Sequence, residues 1–122
     1  MAQYVDAFAL PVPRAHLDEY RRVAEKVAGI WKANGAIQYV EFVGDDLVLD
    51  GTRSFIDVLD LKEDEVAVFG WVLFPSKEIR DLANKRVPND TEMAELVAPL
   101  TDPDRLIFDA SRMVYGGFLS LV

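Results

Sequence analysis

Glu63-Asp64-Glu65-Val66-Ala67-Val68-Phe69-Gly70-Trp71-Val72-Leu73-Phe74-Pro75-Ser76 is the stretch on which the fold turns, because its middle is apolar throughout. In an extended chain Val66, Val68, Val72 and Phe74 point one way and Ala67, Phe69, Trp71 and Leu73 the other. The run is too short to cross a bilayer, and its β-branched and aromatic content favours a strand over a helix. It reads as a central strand of a sheet, to be covered on both faces.

Working outward, the segment before it is acidic and irregular. Glu41 to Glu65 holds nine acids against Arg53 and Lys62, which accounts for −7 of the chain's net −8 and reads as one solvated connection. Within it Asp50-Gly51 suits a tight turn or small hairpin, and Ser54 with Asp57 has the spacing of a capped short helix over Phe55 to Leu61. Earlier still, Ala36 to Val43 alternates as a second strand, with Gln38, Val40 and Phe42 opposite Ile37, Tyr39, Glu41 and Val43. Leu17, Tyr20, Val23, Ala24, Val27, Ile30 and Trp31 recur at spacings of three and four and predict a long amphipathic helix, stopped by Asn34-Gly35. Gly29 inside that helix suggests close packing against the sheet. Tyr4 to Val12 alternates as the first strand and ends at Pro11 and Pro13.

On the other side of the central run, Ser76 caps a helix whose buried stripe is Ile79, Leu82 and Ala83, ended by Pro88. Asn89 and Glu92 have capping spacing for a short helix carrying Met93, Leu96, Val97 and Leu100. Ser111 to Val122 alternates as a fourth strand, with Gly116-Gly117 marking a bulge or a close backbone approach.

The order β-α-β-β-α-β is the split ferredoxin-like arrangement, an α+β fold with an antiparallel sheet, spread over residues 1–122 as one domain. Strands one and three are then central. Two helices cover one face only, so the second face carries part of Phe8, Leu10, Phe69 and Trp71 or their alternates, with Tyr115 or Phe118 from strand four. An apolar area of that size predicts a homodimer packing sheet on sheet.

Four blocks in order carry a resemblance over nearly the whole chain. They are Tyr4-Val5-Asp6-Ala7-Phe8-Ala9-Leu10-Pro11-Val12-Pro13, then Tyr39-Val40-Glu41-Phe42-Val43-Gly44-Asp45-Asp46, then Lys62-Glu63-Asp64-Glu65-Val66 through Phe74-Pro75-Ser76, and the tail Arg112-Met113-Val114-Tyr115-Gly116-Gly117-Phe118. The chain resembles the YbaA-like bacterial family of unknown function, in the dimeric α/β-barrel superfamily. That resemblance implies the fold and the dimer but no reaction. The wider superfamily includes cofactor-free monooxygenases, haem-degrading proteins and small-molecule isomerases, and membership does not choose among them.

Several classes of chemistry are disfavoured by what the chain contains. Its acidity argues against nucleic acid or an anionic membrane as partner. It has no cysteine and one histidine, His16, so thiol catalysis is excluded, zinc is poorly supplied, and no metal or cofactor is expected. No serine stands in a nucleophile elbow and no glycine loop suits a phosphate. The N-terminus carries no basic leader, which makes the cytoplasm the expected compartment.

Asp6 is the most informative polar residue, a carboxylate among apolar neighbours on a central strand. It is the candidate general base or ligand acceptor; the structural alternative is a backbone hydrogen bond or a partner such as Arg112. Glu41 and Tyr39 share a face and with Asp6 could flank a pocket, against simple solvation at an edge strand. Trp71 and Tyr115 could stack a flat ligand, or serve packing alone. Two functions remain open. One is binding or converting a small apolar or aromatic molecule, by oxygen chemistry without a cofactor or by proton shuttling, with Asp6, Tyr39, Glu41, Trp71 and Tyr115 as ligand residues. The other is a non-catalytic homodimeric accessory domain with no pocket.

Overall fold

The computed structural model describes residues 2–122. The strands are β1 (Tyr4–Pro13), β2 (Gln38–Val43), β3 (Glu65–Phe74) and β4 (Val114–Leu119), and the helices are α1 (Leu17–Ala33), α2 (Phe55–Val58), α3 (Lys77–Arg86) and α4 (Thr91–Val97). The sheet order is β2-β3-β1-β4 and every pairing is antiparallel. This is the expected ferredoxin-like α+β topology, with β3 and β1 at the centre.

Register decides which residues share a face. Asp6 lies opposite Val72 and Gly117, and Phe8 opposite Gly70 and Tyr115. Glu41 in turn lies opposite Gly70, and Tyr39 opposite Val72. All of these stand on the side covered by α1 and α3. Two apolar clusters form there. One holds Leu10, Val12, Val66 and Val68 under Tyr20, Leu100 and Ile107. The other holds Val72 and Phe74 with Ala36 and Ala83. Phe8 packs against both clusters.

Phe8, Leu10 and Tyr115, offered above for the uncovered side, therefore belong to the helix side. What the second side does carry is Phe42, Phe69, Trp71, Val114 and Phe118. The acidic excursion shields one end of it: Leu59, with Leu47 and Leu61, packs on Ala9 and Ala67. The rest stays open, with Phe42 54% and Phe118 58% exposed. Trp71 joins Phe42 at 5.4 Å and Phe69 at 5.9 Å between ring centroids, and Phe55 adds a fourth ring 6.0 Å from Phe69.

Local expectations shift in five places. Gly29 is exposed with nothing within 4 Å of where a Cβ would stand, so helix packing does not require it. Leu82 points outward, because α3 turns Ala83 to the sheet and sends Arg80 across it. The cap of α4 is Asp90, whose side chain accepts from Met93 N at 2.9 Å, rather than Asn89. Residues 110–112 form a 3₁₀ turn, so β4 begins only at Val114, and its register runs through Gly116 and Gly117 without a bulge. Asp50-Gly51 does turn the chain, with Gly51 at φ +82° and Thr52 N bonded to Leu49 O at 3.1 Å, but no strands flank the turn.

Candidate functional site

Two carboxylates stand on the helix side of the sheet, and their surroundings differ. Asp6 on β1 is buried. Arg80 of α3 donates from Nε to both Asp6 oxygens at 3.0 and 3.1 Å, and its Nη2 lies 3.0 Å from Oδ1. The Tyr115 hydroxyl donates to Asp6 Oδ1 at 2.7 Å and accepts from Arg80 Nη2 at 2.6 Å. Arg80 also reaches Asp81 at 3.0 Å and lies 4.8 Å over the Tyr4 ring, a cation–π distance.

The Asp6 carboxylate holds the Arg80 proton more tightly than usual, while burial and then Asp6 push the Tyr115 phenol upward. Gly117 makes the arrangement possible: a Cβ there would sit 2.4 Å from the Tyr4 hydroxyl and 2.9 Å from Arg80 Nη2. This is the close approach expected at Gly116-Gly117. Asp6 is thus neutralised inside the chain, and a role as free general base would require breaking bidentate hydrogen bonds to a guanidinium. Arg112, the partner suggested from sequence, is spent on Glu65 at 2.5 and 2.9 Å, and holds that carboxyl below its usual range.

Glu41 on β2 has no such partner. Its Oε2 accepts from Tyr39 at 2.6 Å and its Oε1 accepts from Tyr20 of α1, and among the described residues it forms no ion pair. Burial pushes the Glu41 carboxyl above its usual range, against the pull of the two phenols. Burial and the Glu41 charge also raise both phenols. Glu41 is therefore not a solvated edge residue.

The space for its side chain comes from Gly70. A Cβ there would meet Val40 O at 2.5 Å, Phe8 Cζ at 2.8 Å and Glu41 Cγ at 2.9 Å, so the Phe8 ring and the Glu41 stem share one notch over β3. Glu41, Tyr20 and Tyr39 face a cleft of about 360 Å³ between α1 and β2, walled by Leu17, Ala24, Ala28, Phe42, Val43 and Val68, with exposed Arg21 and Glu25 beside it.

The structure therefore pairs Asp6 with Tyr115, and Tyr39 with Glu41, but does not bring the five candidates to one pocket. Trp71 is on the opposite side of the sheet from Tyr115, its Nε1 donating to Gln38 Oε1 at 2.8 Å, so the two cannot sandwich one ligand. Tyr20, Arg80 and Gly70 escaped the sequence reading. Tyr20 carries a hydroxyl that needs a partner when buried, and Gly70 interrupts an apolar strand; both are signals visible in the sequence. Among the described residues no group of three His, Cys, Asp or Glu converges as a metal site, and no helix is long and apolar enough to cross a membrane.

The four-stranded antiparallel sheet with α1 and α3 on one side defines a ferredoxin-like α+β protein. Residues 3–109 match the family described as a protein of unknown function, DUF1428, and the chain belongs to that family. It is 37% identical over 120 residues to the uncharacterized protein YbaA of Escherichia coli K12, covering 98% of this chain and 97% of that one, and equally to YbaA of Shigella flexneri. Among solved structures it is similar to a NIPSNAP-family protein of unknown function from Agrobacterium tumefaciens, with a TM-score of 0.54, 13% identity and coverage of 97% and 86%. A dimeric ferredoxin-like protein from an uncultured marine organism gives a TM-score of 0.51 at 9% identity, covering 100% and 96%. At these identities the likeness concerns the fold.

Proposed function

We propose that the chain works as a homodimer that binds a small, largely apolar or aromatic molecule in the cleft between α1 and β2, with Glu41 as its polar anchor. One observation carries the reading: a carboxyl that forms no ion pair among the described residues, held by two phenols, lines an apolar cleft large enough for a small molecule. A raised carboxyl between hydroxyls suits proton transfer, so conversion of the bound molecule would take the form of acid–base chemistry. The open aromatic face of the sheet supports self-association, as does the dimeric ferredoxin-like neighbour. Asp6, Tyr115 and Trp71 then serve the structure and the dimer rather than the ligand.

The test is a thermal-shift screen of small aromatic and aliphatic compounds on the wild type and on Glu41→Gln. The reading expects hits that stabilise the wild type and lose most of their effect in the variant. Hits indifferent to Glu41→Gln would refute the site. Light scattering on Phe118→Asp and the wild type checks the assembly, with the wild type dimeric and the variant shifted to monomer.

A further inference from the structure

Hydrogen bookkeeping in the Glu41 cleft narrows what it accepts. Each phenol has one hydroxyl hydrogen, and Tyr20 and Tyr39 both spend theirs on Glu41. When Glu41 is ionised, the trio offers the cleft lone pairs and no donor. A ligand that engages it must bring the hydrogens.

Charge points the same way. A partly buried carboxylate is costly unless a cation pairs with it, and the groups beside Glu41 supply none. From α1 come Tyr20, Arg21 and Glu25, and from β2 comes Tyr39. Gly70 and Phe8 face it from β3 and β1 and carry no charge. Arg21 donates to Asp18 at 2.8 Å instead, and Glu25 adds a second negative charge near the cleft.

The chain itself contains the completed version of this arrangement. At Asp6 a carboxylate, a phenol and an aromatic ring surround the Arg80 guanidinium. At Glu41 the carboxylate and two phenols are present, and among the described residues no cation pairs with them. We infer that the cleft takes a small organic cation with N–H donors, a primary ammonium or an amidinium on an apolar or aromatic body. The N–H groups bond the Glu41 oxygens, the charge lies against the rings of Tyr20 and Tyr39, and the body rests on Leu17, Ala24 and Val68.

This inference rests on the binding role proposed for the cleft, and the experiment separates the two. Benzamidine and benzylamine are titrated against their neutral counterparts benzamide and benzyl alcohol, with the glutamate and tyrosine side-chain NMR signals of the whole chain as readout. At pH 7.5 the cations are expected to bind at least about tenfold more tightly than the neutral compounds, as a charge-assisted hydrogen bond implies. Their affinity is expected to rise with pH as Glu41 ionises, and to fall about tenfold or more in Glu41→Gln. Should that variant misfold, the cation-to-neutral comparison and the pH series in the wild type still decide. Neutral compounds binding as tightly as the cations would overturn the charge assignment and leave the cleft as a binding site. No response at Glu41, Tyr20 or Tyr39 to any of the four would overturn both.

Discussion

Asp6 and Glu41 are two carboxyls on the same side of one sheet, and they teach opposite lessons. Asp6 meets a guanidinium, a phenol and an aromatic ring, all supplied by the chain, and its oxygens are committed. Glu41 meets two phenols and, among the described residues, forms no ion pair, beside a cleft. The first is a closed piece of structure. The second is held by phenols alone, and the proposed binding role rests on that difference.

The largest expected effect comes from making Asp6 resemble Glu41. Arg80→Ala leaves a buried carboxylate with one phenol, and urea unfolding should show a loss of about 3 kcal/mol, the low end for a broken buried pair because Arg80 keeps 17% exposure. A loss below about 1 kcal/mol, the scale of a surface pair, would mean that Asp6 is not committed as described. Next comes the notch that seats Glu41. Gly70→Ala forces a Cβ against the Val40 carbonyl, which is backbone and cannot swing aside, so a loss of about 2 kcal/mol is expected by the same method.

A smaller effect separates the two kinds of carboxyl by pH. The folded chain holds the Glu41 proton more tightly than the unfolded chain does, so this group's stabilising contribution is complete below the ordinary glutamate midpoint. It is lost as pH rises through the raised one. Glu65, held low by Arg112, behaves in reverse: its contribution is present above the ordinary midpoint and is lost as pH falls through the lowered one. Thermal melts of Glu41→Gln against the wild type should therefore diverge in the variant's favour as pH rises above the ordinary range. Parallel curves would contradict this. Gly29→Ala, on α1 but clear of both carboxyls, is the control; with open space for the methyl it should gain about 0.5–1 kcal/mol and leave ligand response unchanged.

Much of the architecture was legible in the sequence. Alternation in β1 and β3 and the helical period of α1 predict the element order, and that order gives the sheet topology. The two sides of the sheet were less legible, because alternation groups Phe8 with Leu10 but does not say which group the helices cover. The partners were hardest. Arg80 reaches Asp6 across 74 residues of sequence only because β1 lies between β3 and β4 and α3 returns over it. Arg112 stands nearer β4 in sequence, yet the 3₁₀ turn before that strand aims it at Glu65. Tyr20 was hidden in an apolar stripe by its own ring, and Gly70 in an apolar strand.

The central claim is that Glu41 is a carboxyl without a cation. A carbon-13 NMR titration of the Glu41 side-chain carboxyl in the ligand-free protein tests it most directly. The account predicts a midpoint clearly above the ordinary glutamate value of about 4.3. A midpoint at or below that value would contradict it, because burial without a cation would then not be what sets this carboxyl's hold on its proton.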